Sequence, residues 1–140
     1  MSFTNYLENK VLDHVFGGGD FTRPATIQIG LSTTEIEEDG TGITEPQAAD
    51  GYARVSLDND GDTWENAETS EAGEWEGHGT KVNKIEIVFP EATGGWGEVT
   101  HFFVADGTNI LGYGELEVPR TVLEGQEVRF EEQALQVTLD

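Results

Sequence analysis

The sequence predicts an all-β fold, an antiparallel β-sandwich of jelly-roll type preceded by one α-helix. Some seven or eight short runs alternate apolar with polar residues, which is the period of a half-buried strand. Turn dipeptides such as Asp106-Gly107 and Glu124-Gly125 punctuate those runs. Only the stretch from Ser2 to Phe16 has a helical spacing of apolar residues, and Gly17-Gly18-Gly19 closes it. With 140 residues and 36% hydrophobic content the chain reads as one domain with a real core. Its helix spans 2–16 and its sandwich 24–140, with acidic loops at 33–51 and 58–79.

In the helix, Phe3, Leu7, Val11, Leu12, Val15 and Phe16 are read as one apolar stripe. Ser2, Thr4 or Asn5 can cap its start, and Asn5 with Glu8 is capping-box-like. So short a helix is marginal alone, so the stripe must pack on the chain's own sheet or on a neighbouring subunit. Pro24 to Ser32 follows as a strand with Ile27, Ile29 and Leu31 on one side. After the polar passage Thr33–Gly51, Tyr52 to Leu57 alternates again, with Ala53, Val55 and Leu57 expected inward and Tyr52, Arg54 and Ser56 outward. Both acidic passages are long for a compact domain, where connections usually run about 4–6 residues.

Residues 85–105 read as the central hairpin. Ile85, Ile87 and Phe89 form one strand, Pro90 breaks it, and Gly94, Gly95 and Gly97 turn the chain around Trp96 into Val99–Ala105. Phe102, Phe103 and Val104 are consecutive, so neither face of that second strand is polar. A strand apolar on both faces belongs in a sandwich core or under a covering helix or partner. Short strands at 109–117, 120–123, 127–131 and 134–139 complete the chain, with Pro119 separating the first two. Leu135, Val137 and Leu139 are expected inward.

Charge bounds the partners. Twenty-eight Asp and Glu face seven Lys and Arg, for a formal net charge of -21. Such a polyanion repels phosphate backbones and anionic headgroups, so neither nucleic acid nor a membrane is an expected partner. No basic-then-apolar leader and no apolar run near ~20 residues is present, so neither a secretory signal nor a membrane span is expected. Self-repulsion strains a compact acidic chain, whereas near 1 M salt the Debye length is only ~3 Å and the strain is screened. The composition therefore suits molar salt.

Chemistry is sparse. Absence of cysteine excludes disulfides and thiolate metal sites. Asp58, Asp60 and Asp62 have the spacing of a calcium loop, but Thr63 and Thr69 stand where an EF-hand needs Gly and Glu. A looser Ca2+ or Mg2+ site on those three carboxylates is the one cofactor candidate. His14, His78 and His101 are far apart, and no nucleophile elbow, phosphate loop or dinucleotide fingerprint occurs. The chain is therefore not expected to be an enzyme. Trp64 and Trp75, in the second acidic loop, are candidate exposed contacts for a glycan or a protein, and Trp96, Tyr52 and Tyr113 could extend such a platform.

Several stretches resemble small virion proteins of tailed viruses, of the kind called tail-fibre-like. They are Thr4–Phe16, Ile29-Gly-Leu-Ser32, Gly51-Tyr-Ala-Arg-Val55, Phe89–His101, Pro119-Arg-Thr-Val122, Val128-Arg-Phe130 and Leu135–Leu139. The resemblance runs in order along nearly the whole chain and departs at 58–79, which is longer and more acidic. With the salt-adapted composition it implies a tailed virus of a halophilic archaeon, and a protein assembled in the host cytoplasm onto the virion. The implied role is a homo-oligomeric module with cyclic symmetry on the particle surface, as capsid decoration, turret or tail-fibre component. Its neighbours would be copies of itself and major capsid or tail proteins. Candidate assembly contacts are Phe3, Leu7, Val11, Phe16, Trp96 and Phe102. The competing reading is a glycan- or receptor-binding module that reaches a host surface glycan through Trp64 and Trp75.

The charge argument predicts that transfer from molar salt to dilute buffer lowers the Tm or dissociates the oligomer. Thermal melts and sedimentation across that range check it, and an unchanged Tm and mass would refute it.

Overall fold

The computed structural model describes residues 1–68 and 79–139. In chain order its elements are β1 (Ser2–Phe3), α1 (Asn5–Phe16), β2 (Thr26–Ser32), β3 (Val55–Asp58), β4 (Thr80–Val82), β5 (Ile87–Val88), β6 (Gly97–Ala105), β7 (Ile110–Val122), β8 (Arg129–Phe130) and β9 (Gln136–Thr138). A three-residue 3-10 turn, Ala48–Asp50, precedes β3. All strand pairs are antiparallel.

From β4 to β9 the chain is one long hairpin doubled back at Asp106. Ala105 pairs with Ile110, Gly97 with Val122, Ile87 with Phe130 and Thr80 with Thr138, so the same two arms run side by side from the turn to the ends, with shifts of register on the way. Backbone bonds between the named strands continue the ladder: Trp96 to Val122, Ala92 to Gln126 and Phe89 to Val128. The predicted hairpin at 85–105 is thereby corrected. Residues 85–105 are a single arm, whose hairpin partners lie in 110–131, while β6 also pairs with β2 on its other edge. The turn itself is built by Asp106, whose carboxylate accepts the backbone N–H of Thr108 at 2.9 Å and of Asn109 at 2.7 Å. Gly107 takes the left-handed angle, φ 101°, that this reversal needs.

Folding that hairpin over itself makes the sandwich. Its turn end, β6 and β7, joins a five-stranded sheet of order β1-β7-β6-β2-β3, while its outer ends form the ribbons β4-β9 and β5-β8. The ribbons and their loops lay Ile87, Phe89, Val128 and Leu135 against Ile27, Ile29, Leu31, Val99, Phe102 and Val104 of the sheet. This nested pairing is the jelly-roll logic that the sequence predicts. Val99 and Phe102 reach the same core although three residues apart, a spacing that puts residues of a regular strand on opposite faces. The register breaks between them: Leu116 to Pro119 stand opposite Thr100 alone. Pro119 thus lies inside β7 rather than between two strands, and it sits where the pairing is interrupted.

The opposite face of β6 is covered by the chain's own polar passage. Phe103 and Ala105 pack with Ile36, and Ile43, Ile110 and Tyr113 flank them. Gly30, paired with Phe103, has no side chain because the Phe103 ring occupies the place a Cβ would take. Thr33 N–H to Thr44 O (2.9 Å), Glu37 N–H to Thr41 O (2.9 Å) and Thr44 N–H to Ser32 Oγ (3.0 Å) fold this passage back on itself.

Tyr52 corrects the inward-outward assignment before β3. It is buried, while Ala53 is exposed. Its hydroxyl accepts the Leu31 N–H at 3.0 Å and donates to Glu45 at 2.7 Å. Arg54 grips Glu45 with two bonds of 2.9 Å, donates to Gln28 at 3.1 Å, and lies 4.9 Å from the Phe103 ring centre. Burial lifts the Glu45 carboxyl, but the Arg54 and Tyr52 bonds outweigh it and hold the group below the usual range. Val55 and Leu57 pack on the core as expected, whereas Leu139 is exposed rather than inward.

Two outcomes follow. Gly30→Val, which drives a branched side chain into the Phe103 ring, should cost about 1–3 kcal/mol in urea denaturation. Because Glu45 titrates below its unfolded value, its contribution is fully present above that value and fades as pH falls through the folded one. Glu45→Gln should therefore lower the urea midpoint at pH 7 and narrow the drop in that midpoint between pH 7 and pH 3. Equal pH slopes would contradict this.

Candidate functional site

Helix α1 docks by its first half only. Thr4, itself buried, caps it: the Leu7 N–H approaches Thr4 Oγ1 at 3.5 Å, and that hydroxyl donates to Ile110 O at 2.6 Å. The Asn5 N–H reaches Glu38 O at 2.9 Å, tying the helix start to the passage that covers β6. Tyr6 and Leu7 pack against the main core. No residue of the helix is fully buried.

The second half projects. Leu12 and Val15 are exposed, and Phe16 is 81% exposed. The predicted single stripe fails for a geometric reason. Leu7 and Phe16 are nine residues apart, about two and a half turns at 3.6 residues per turn, so they face opposite ways. Leu7 lies on the domain side, Val11 is half-buried between, and Leu12, Val15 and Phe16 form a second, outward cluster. Counting turns rather than grouping apolar residues would have separated the two sets.

The glycines after the helix make a tight reversal. Gly17 at φ 89° sends its N–H to Asp13 O at 3.1 Å, and the N–H groups of Gly18 and Gly19 reach the same oxygen. A Cβ at Gly18 would meet the Asp13 carboxylate at 2.6 Å. The Phe21 N–H then donates to His14 Nδ1 at 3.1 Å, which holds the outgoing chain beside the helix. Acidic residues surround the docked end. The Tyr113 hydroxyl is raised above its ordinary range by partial burial and by the charges of Glu38, Glu37 and Glu8.

The other candidate residues are placed as follows. Phe3 belongs to β1, not to the helix, and with Leu7, Trp64, Leu111 and Val137 it lines a small apolar hollow beside α1. Trp96 and Phe102 are core residues rather than surface contacts. Trp96 donates its ring N–H to Asp50 O at 2.8 Å and meets Tyr52 edge-on at 5.4 Å, while Phe102 meets Phe130 at 5.3 Å. Trp64, expected in the open, is only 7% exposed and donates to Asn59 Oδ1 at 3.1 Å. Trp75, paired with it in the glycan reading, and His78 lie outside the described residues. His101 is half-buried, with Nδ1 2.7 Å from Thr100 Oγ1.

Asp58, Asp60 and Asp62 do not converge. Asp60 is turned onto its own turn, accepting the N–H of Asp62 at 2.9 Å and of Thr63 at 3.3 Å. Among the described residues no group of three His, Asp or Glu side chains is arranged to hold a metal ion. Also among them, no helix is long and apolar enough to cross a membrane.

Residues 2–138 match the family model described as podophage GP4 fiber I protein gp80. No curated protein matches the chain significantly.

The placement of Trp64 carries its own expectation. Trp64→Ala should cost about 3–5 kcal/mol, the range for a buried aromatic, read as a lower urea midpoint. A change below about 0.5 kcal/mol, the scale of ordinary surface substitutions, would show that this residue is not part of the core.

Proposed function

The chain belongs to the gp80 family of podophage GP4 fibre I proteins, and from that premise we propose that it is a virion structural protein of a tailed virus, working by assembly rather than by turnover. It is a homo-oligomeric β-sandwich module on the particle surface, a tail-fibre component first and a capsid decoration or turret subunit second, because the family carries a fibre description. Its composition, at a net charge of -21, suits a virus of a salt-loving host.

The observation that carries this reading is the outward half of α1. Leu12, Val15 and Phe16 expose a contiguous apolar cluster, carried on a helix capped at both ends by Thr4 and Gly17. A second copy of the chain is the proposed cover. Closed, cyclic symmetry would keep such a contact from growing without limit. Trp64 is internal, so the glycan alternative would rest on Trp75.

Sedimentation of the full chain in molar salt tests the proposal. The wild type is expected to be oligomeric. Burying a Phe side chain is worth about 1.5–3 kcal/mol, so Phe16→Asp should weaken association at least about tenfold. Its Tm at subunit dilution should match that of the wild type. A monomeric wild type, or an oligomer indifferent to Phe16→Asp and Val15→Asp, would overturn the assignment of this contact.

A further inference from the structure

We draw no further inference here: the strongest candidate, the shallow apolar groove between the Leu116–Pro119 excursion of β7 and strand β8, lined by Val118, Val128 and Phe130, is an unpartnered face, and nothing in the structure shows what covers it.

Discussion

The architecture depends on the register of one long hairpin. Once Asp106 and Gly107 reverse the chain, Ala105 meets Ile110, and the same two arms stay paired as far as Thr80 and Thr138, with the register reset between Val104 and Ala105 and between Val99 and His101. A shift by a single residue would turn every side chain of one arm to the wrong face. The turn is correspondingly over-determined. Asp106 accepts two backbone N–H groups and the side-chain amide of Asn109. Although burial raises its carboxyl, those bonds prevail and keep it below the usual range.

Rolling the hairpin creates a second demand, because its middle strand is apolar on both sides. The ribbons cover one side of β6, and among the described residues the acidic passage after β2 covers the other. That passage holds few apolar residues, so Ile36 and Ile43 are fastened down by polar bonds rather than by bulk. Tyr52, Glu45 and Arg54 do this from the neighbouring edge, with the Arg54 guanidinium resting on Phe103 itself. A buried polar network stabilises only when its members are satisfied. Among the described residues no buried side-chain nitrogen or oxygen lacks a partner. The segment that looks like a solvated loop is therefore half of the wall around the central strand.

Local pattern made much of this legible. Alternation marked β2 and both arms of the hairpin, Asp106-Gly107 marked the reversal, and consecutive Phe102 and Phe103 marked the strand covered twice. What escaped was non-local. Trp96, set among glycines, resembled a surface turn, yet its ring is drawn inside by the Asp50 carbonyl, 46 residues away in sequence. The acids around Trp64 predict exposure, but Asn59 satisfies its ring N–H and leaves the rest of the indole free to pack. Proline misled in the same way. A proline at position 119 predicts the end of a strand, whereas the chain accommodates it as an excursion within β7. The apolar spacing of 2–16 does mark a helix, but the turn count places its apolar residues on two faces rather than one.

That division of the helix gives the assembly proposal its physical content. An acidic chain is soluble at low ionic strength largely because its copies repel one another. Molar salt screens that repulsion beyond about 3 Å. Salting-out ions such as sulfate and phosphate also strengthen the tendency of exposed apolar groups to be covered. Leu12, Val15 and Phe16 are thus least able to associate where the surrounding charge is unscreened and most able where it is screened. Nothing in the helix needs to change shape for this to happen, since its inner half, its cap and its terminal reversal are already fixed by bonds to Ile110, Glu38 and Asp13. The proposed contact would be preorganised, so a second subunit meeting it would cost little conformational entropy. A flexible tail bearing the same three side chains would lose much of that advantage, which is why their place on a capped helix matters as much as their apolar character.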